Sequence, residues 1–148
     1  MIRTASLEQA ELAIIGAGCA GLSLARQLVR TEKTSSIKAC LYGPVSPAAT
    51  NRHSWGFWAT QGLKEQTELA RQRWHKWQII TAERKVTQTA DSHPYCRLDS
   101  RDWLTHCLNV IDGNIQQEPN SLPTPGTQPV FDSRPPNVPN GAMLQHFN

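Results

Sequence analysis

The feature that most constrains the fold is the segment AIIGAGCAGLSLARQL, residues 13–28, in which glycines separate an apolar stretch from a helical pattern. Glu11–Ile15 is predicted to be a short strand, and Ala20–Arg30 a helix, because its apolar residues recur at helical spacing. Ser36–Tyr42 is predicted to be a second strand. Strand, turn, helix and strand within about forty residues form a βαβ unit with parallel strands. The sequence therefore predicts an α/β fold.

The glycine spacing, G-x-G-x-x-G, suits the phosphates of a dinucleotide. Gly16 permits a tight turn out of the strand, Gly18 lets a pyrophosphate approach the backbone, and Gly21 lets the helix pack closely. Ala17 completes the turn, and the helix N-terminus offers amides and partial positive charge. The same spacing also occurs in purely structural turns, so it is the βαβ context that predicts a Rossmann-like FAD/NAD(P)-binding domain.

One expected part of this motif is missing. An Asp or Glu about twenty residues further on, at the end of the second strand, ordinarily binds the ribose hydroxyls, but Gly43 stands at that place. The ribose would then be held by backbone, by Tyr42 or by Asn51, and the dinucleotide would bind more weakly. Alternatively, the loss of the acid beside Arg52 would favour a cofactor with a phosphorylated ribose.

Composition limits the other classes of function. The length of 148 residues suits one domain, and 39% hydrophobic residues with five Trp predict a globular chain. A net charge of only +3 does not predict a nucleic-acid partner. The basic, aromatic segment RQRWHKW, Arg71–Trp77, is predicted to be a solvated helix end with Trp74 and Trp77 turned inward. Contact with RNA or anionic lipid is the weaker alternative.

The cysteines and histidines show no metal-binding pattern. The four Cys are scattered without a C-x-x-C pair, and the neighbours His106 and Cys107 do not converge on one metal. No metal site is predicted. Residues 1–12 contain no apolar signal core, and no segment approaches membrane-spanning length. We therefore expect a cytoplasmic protein with reduced thiols.

Four motifs occur in the order that is found in bacterial lycopene cyclases. NRHSWGFW, residues 51–58, resembles the N-x-x-T-W-x-F-W signature of that family, and Trp77 follows it. YCRLDSRDWL at 95–104, VFDSRPP at 130–136 and MLQHF at 143–147 continue the similarity. The chain thus resembles the lycopene beta-cyclase type over essentially its whole length. The resemblance implies an FAD-dependent enzyme that acts on lycopene or a related linear carotene, close to a membrane.

The resemblance also implies the chemistry. A protonated acid adds a proton to the terminal double bond of the polyene, an internal double bond captures the cation, and loss of a proton leaves a beta ring. Reduced FAD, kept reduced by NAD(P)H, would place negative charge near that cation in a dry cavity. The catalytic residue stays unassigned. Asp99, Asp102 and Asp132 are the nearest candidates, but the first two flank a helix start, where carboxylates complement the helix dipole.

Two sets of motif residues are candidates for the site. Trp55, Phe57 and Trp58 are equally compatible with the core and with the wall of an apolar polyene tunnel. Asp132 and Arg134 are predicted to form an ion pair beside the flavin rather than to act directly in catalysis.

The remaining segments are predicted from pattern alone. Arg101–Val110 is predicted to be an amphipathic packing helix with Ser100 as its N-cap. Val130–Phe131 is predicted to be a strand, and residues 112–129, which are rich in Pro, Asn, Gln and Gly, a loop.

The domain prediction follows from the resemblance. Residues 1–148 are expected to be the N-terminal part of an FAD/NAD(P)-binding domain, without the second flavin-contacting segment, the substrate domain and the acidic motif of the family. We therefore expect the isolated chain to be inactive, and to associate with a membrane or with a partner chain that supplies the missing half. The alternatives are another FAD-dependent enzyme, such as a hydroxylase, or a non-catalytic nucleotide-binding module.

Overall fold

A computed structural model of the chain describes residues 10–31, 33, 36–44 and 53–134. Two cofactor candidates, Asn51 and Arg52, lie outside these residues, as does the MLQHF motif at 143–147. The described residues include the glycine turn, Gly16–Gly21, and most of the remaining motif residues.

The predicted βαβ unit is confirmed. Strand β1, Leu12–Ile15, leads into helix α1, Cys19–Arg30, and then into strand β2, Ala39–Tyr42. The two strands are parallel, with Ile14 opposite Leu41. The two strands contain short apolar runs that are buried, and α1 buries apolar residues at helical spacing, which explains why pattern alone located them to within a few residues.

Two later strands extend this parallel sheet. Strand β8, Gln116–Glu118, pairs with β2, and strand β9, Val130–Asp132, pairs with β1. The strand order is β8-β2-β1-β9. The prediction of a loop over residues 112–129 is therefore wrong at β8. This edge strand has the polar sequence QQE and is held in the sheet by backbone pairing with β2. Because it contains no apolar residue, the hydrophobic pattern of the sequence does not predict it.

An antiparallel sheet forms a second layer. Strand β7, Tyr95–Asp99, lies between β3, Ser54–Trp58, and β4, Gln72–Trp74. A separate hairpin consists of β5, Lys76–Ile80, and β6, Lys85–Thr89. The helix end predicted for Arg71–Trp77 is wrong, because this segment belongs to β4 and β5. Trp74 and Trp77 are three residues apart, as on a helix face, but Trp74 ends β4 and Trp77 lies in β5.

Two further helices complete the described fold. After a short 3₁₀ turn at Gln61–Leu63 come α2, Lys64–Leu69, and later α3, Ser100–Ile111. The predicted packing helix is thus confirmed, but Ser100 is its first residue rather than its N-cap. Asp99 holds the cap position, and its carboxylate accepts a hydrogen bond from Ser54 at 3.1 Å instead of capping the helix.

The apolar core lies between the parallel sheet and the helices α1 and α3. Ile14 and Leu41 of the sheet pack with Leu22 of α1 and with Trp103 and Ile111 of α3, all of them almost fully buried. Burial of large apolar side chains from both layers is the main stabilising contribution in such a fold. The two helices are therefore held side by side on one face of the sheet.

A polar network joins the three helices. The Arg26 guanidinium is buried, lies 5.2 Å from the ring centre of Trp103, and forms an ion pair with Glu65. His106 contacts the same carboxylate at 2.9 Å, and Trp103 donates a hydrogen bond to Ser23 at 2.9 Å. Burial disfavours ionisation of Glu65, but the hydrogen bonds from His106 and Arg26 outweigh it and lower its pKa.

No helix in the described ranges has the length and apolar composition needed to cross a bilayer.

The four cysteines are free thiols. Burial raises the pKa of the Cys107 thiol to about 12, so this thiol is protonated at neutral pH.

Candidate functional site

The topology places two helix N-termini at one edge of the parallel sheet. The chain runs from the C-terminus of α1 to the start of β2, and from the C-terminus of α3 through residues 112–115 to the start of β8, which is parallel to β2. Both helices therefore run opposite to the strands and parallel to each other. Their N-termini lie at the edge where the parallel strands end. In open α/β sheets this edge is where ligands bind.

The three glycines of the turn each have a distinct environment. Gly16 has φ +98°, and its N–H donates to the Tyr42 carbonyl at 2.9 Å, so it turns the chain out of β1. A Cβ on Gly21 would lie 1.9 Å from the Gly16 carbonyl oxygen, so only glycine permits this close packing. A Cβ on Gly18 would meet no atom of the described chain within 4 Å. The space beside Gly18 is open.

The start of α1 is suited to an anion. Gly18 is the N-cap residue, no side chain caps the helix, and the first turn contains no acidic residue. Ala17 is half-buried against the core and leaves the backbone on the outer side accessible. The amides of a first helical turn carry partial positive charge and favour phosphate groups.

Strand β9 closes the other side of the glycine turn. The Ser133 hydroxyl donates toward the carbonyls of Ile15 at 2.9 Å and Gly16 at 3.1 Å, and the Ser133 N–H donates to Ile15 at 2.9 Å. Sequence analysis did not single out Ser133, although it lies between two residues of a recognised motif. Its contacts attach the end of β9 directly to the turn.

The predicted pairing of Asp132 and Arg134 is present. The guanidinium donates to both carboxylate oxygens, at 2.9 and 2.7 Å, and the Arg134 N–H donates at 3.0 Å. These hydrogen bonds lower the pKa of Asp132 from 3.8 to about 2. Asp132 is therefore ionised and paired at neutral pH, and it is not poised to donate a proton.

The end of β2 has no carboxylate of its own, as the sequence indicates. Gly43 adopts φ +114°, which L side chains rarely adopt, and its N–H donates to the Glu118 carbonyl at 3.1 Å. An acidic side chain at this position would be strained. Asn51 and Arg52, the other candidates near the ribose, lie outside the described residues.

A polar cavity lies at the N-terminus of α3, and we call it the α3 cavity. It has a volume of about 410 Å³. Its lining includes His53, Arg71, Arg97, Asp99, Ser100 and Arg101. Within the described chain, the buried Ser100 hydroxyl and the Nε of Arg97 have no hydrogen-bond partner. Buried polar atoms are ordinarily paired, so these two atoms are unsatisfied within the described chain. The arginine side chains in the lining make the cavity suited to an anionic or polar ligand.

The carboxylates around the α3 cavity are paired with arginines. Arg71 binds Asp102 through two hydrogen bonds of 2.6 and 2.8 Å, and Arg97 binds Asp99 at 3.1 Å. Hydrogen bonds from Arg97 and Ser54 lower the pKa of Asp99. Arg71 could not be placed here from the sequence, because the pattern of residues 71–77 predicts a helix end, whereas Arg71 directly precedes strand β4.

An aromatic cluster occupies the outer face of the antiparallel sheet. It consists of Trp58, Trp74, Trp77 and Tyr95. The Trp58 ring lies 4.9 Å from Tyr95 and 5.4 Å from Trp77 between ring centres. Trp58 and Trp74 are 42% and 40% exposed, so this cluster presents aromatic surface to a ligand or to another part of a larger protein. The prediction that Trp74 turns inward is therefore wrong, because its side chain packs on Tyr95 at the exposed face of the sheet.

The three aromatic candidates of the WGFW segment lie on opposite faces. Trp55 and Phe57 pack against the apolar core, whereas Trp58 belongs to the aromatic cluster. The cause is the alternation of side chains along β3. Trp55 and Phe57 are partly buried at the edge of the core, and their place in the wall of a polyene tunnel stays a prediction. A Cβ on Gly56 would lie 1.8 Å from the Tyr95 hydroxyl oxygen, so the glycine makes room for that ring.

Comparison with known families identifies one match. A family model described as "Lycopene cyclase protein" matches residues 11–112. The matched range runs from the start of β1 to the end of α3, and so includes the glycine turn, the α3 cavity and the aromatic cluster. No curated protein matches this chain.

Solved structures confirm the fold class. PqsL of P. aeruginosa in complex with 2-aminobenzoylacetate is 16% identical, with a TM-score of 0.56 over 74% of this chain and 33% of that chain. The tetrameric form of 2-methyl-3-hydroxypyridine-5-carboxylic acid oxygenase is 14% identical, with a TM-score of 0.54 over 76% and 32%. Such identities concern the fold alone. This is the predicted Rossmann-like α/β fold, and the chain spans about a third of the length of these structures.

Proposed function

This chain belongs to the lycopene cyclase family, and we propose that it is the N-terminal, FAD-binding part of a lycopene beta-cyclase. Such an enzyme closes the ends of a linear carotene into beta rings in carotenoid biosynthesis. The observation that carries the proposal is the position of the open glycine turn at the same sheet edge as the N-terminus of α3. A dinucleotide can extend from the turn along this edge.

The residues of this edge fit FAD. The amides of the first turn of α1 and the open space beside Gly18 would receive the pyrophosphate. The arginine side chains that line the α3 cavity, Arg71, Arg97 and Arg101, would bind further polar or anionic groups of the cofactor. The Asp132–Arg134 pair lies beyond β1 on the other side of the turn and would fix the backbone there.

The aromatic cluster is the part of the chain suited to a polyene. Tyr95 and Arg97 lie two residues apart on β7, so their side chains share one face, with the aromatic cluster at one end and the α3 cavity at the other. Aromatic faces bind apolar chains and attract cations. When bound, reduced FAD, maintained by NAD(P)H, supplies negative charge beside the cation that cyclisation creates. The aromatic side chains would exclude water that otherwise captures this cation.

The proton donor for cyclisation is proposed to come from elsewhere. Asp99, Asp102 and Asp132 each form hydrogen-bonded ion pairs with an arginine. Hydrogen bonds lower the pKa of Asp99 and of Asp132 and so favour their ionised forms, whereas general acid catalysis needs a protonated group within reach of the substrate. We therefore propose that a second chain or segment supplies the acid, and that the assembly works peripherally at a membrane that contains the carotene.

A binding experiment tests the role of the aromatic cluster. Trp58→Ala should reduce the amount of lycopene that co-elutes with the chain from detergent micelles about tenfold, because it removes the central ring of the cluster. Leu122→Ala is the matched control, since Leu122 is 63% exposed and lies outside the cluster. Equal lycopene retention by wild type and Trp58→Ala would contradict the assignment.

A further inference from the structure

We propose that one face of the β5–β6 hairpin extends the aromatic cluster and binds the part of the linear carotene that lies beyond it. The inference rests on the proposed function, in which the aromatic cluster contacts the polyene. It assigns two further contact residues for the substrate, Ile79 and Val86, both of which lie outside the motifs of the sequence.

The register of the hairpin defines its two faces. Ile79 pairs with Val86, and Trp77 pairs with Gln88. Directly opposite residues of an antiparallel pair share one face of the sheet, and so do residues two apart on one strand. These four uncharged side chains therefore lie on one face, which we call the neutral face.

The opposite face of the hairpin is basic. Lys76 and Ile80 of β5 lie there, with Lys85 directly opposite Ile80. Both charged residues among the five pairs of the hairpin, Lys76 and Lys85, are thus on this second face. Taking an ammonium group out of water is costly, so a hydrocarbon ligand is better accommodated on the neutral face.

The neutral face is continuous with the aromatic cluster. The ring centre of Trp77 lies 5.4 Å from that of Trp58. Ile79 is two residues further along β5 on the same face, roughly 7 Å away at the usual rise of a strand. Apolar side chains therefore run from the cluster to Ile79 and its partner Val86, which gives an elongated surface that a linear hydrocarbon can cover.

The far end of this surface is open to a ligand. Ile79 is 55% exposed although its side chain is large and apolar. Within the described part of the chain, β5 and β6 form a two-stranded sheet of their own. Such a hairpin is only marginally stable in water, whereas a hydrocarbon on Ile79 would remove apolar surface from water. A polyene bound there would therefore also stabilise the hairpin.

The test measures the lycopene that co-elutes from detergent micelles with the wild-type chain and with three variants. Ile79→Thr keeps a β-branched side chain and Val86→Thr keeps nearly the same shape, so each replaces apolar by polar surface on the neutral face. Each should lower lycopene retention about three- to tenfold. Ile80→Thr is the matched control, because Ile80 adjoins Ile79, is 67% exposed and lies on the basic face. This variant should retain lycopene like wild type.

The outcomes separate this inference from the proposed function. If the wild-type chain retains no lycopene, the proposed binding of the carotene is itself overturned. If Trp58→Ala loses lycopene but Ile79→Thr and Val86→Thr retain it within twofold of wild type, the cluster binds the polyene and the hairpin does not. The neutral face would then be left to another part of a larger protein.

A nonspecific effect of the hairpin would also overturn the inference. Equal losses in Ile79→Thr and Ile80→Thr would show that the apolar end of the hairpin adsorbs to micelles without a preferred face. Thermal unfolding distinguishes a lost contact from a lost fold, and Val86→Thr decides the question if Ile79→Thr unfolds.

Discussion

Gly18→Val is expected to abolish FAD binding while the chain remains folded. The Cβ of residue 18 would meet no atom of the described chain within 4 Å, so the protein has room for the side chain. The backbone there, with φ −85° and ψ −165°, is also accessible to valine. The valine would occupy the space through which the pyrophosphate approaches the first turn of α1. Quenching of flavin fluorescence during titration measures the loss.

A matched variant distinguishes this steric effect from a general loss of stability. A Cβ on Gly62, in the 3₁₀ turn, also meets nothing within 4 Å, so Gly62→Val should fold and bind FAD like wild type. Gly18→Val should lower the free energy of unfolding by about 1 kcal/mol or less, because glycine is only a moderate N-cap. An unchanged FAD titration for Gly18→Val would remove the glycine turn from the site.

The second expected result is that this chain alone leaves lycopene uncyclised. Asp99, Asp102 and Asp132 are held by arginines, and the pKa values of Asp99 and Asp132 are lowered. Because cyclisation starts with proton donation to a double bond, the ionised carboxylates of Asp99 and Asp132 do not begin it, and the Asp102 carboxylate is bound by Arg71. Expression in lycopene-accumulating cells, followed by chromatography of the pigments, should yield only the linear carotene.

A contrary pigment profile would locate the acid. Beta-carotene or a one-ringed product, formed without a second polypeptide, would show that the proton donor lies within these 148 residues. Asp99→Asn, Asp102→Asn and Asp132→Asn would then be compared, and the variant that stops product formation would identify it. Asp91→Asn serves as control, since the Asp91 side chain is 85% exposed on a segment away from the α3 cavity.

The first half of the parallel sheet was predictable from the sequence. β1 and β2 are short apolar runs, and the glycines between β1 and α1 have the spacing of a nucleotide-binding turn, with a strand before them and a helix after them. The helix α3 was equally clear, because its apolar residues recur at helical spacing. In these elements the local pattern and the buried face agree.

The polar parts of the site could not be predicted in the same way. Strand β8 reads QQE and belongs to the sheet only through backbone pairing with β2, a long-range contact with no local pattern. The face on which Trp58 lies depends on the register of β3 against β7. Likewise, the sequence pattern starts α3 at Arg101, whereas Ser100 is its first residue and is buried.

The measurement that most directly tests the central claim is a calorimetric titration of the purified wild-type chain with excess FAD. The account predicts saturable binding of one FAD per chain, with competition by ADP, because the glycine turn and the first turn of α1 form a site for the pyrophosphate. Absence of saturable binding by a chain that unfolds cooperatively would contradict it.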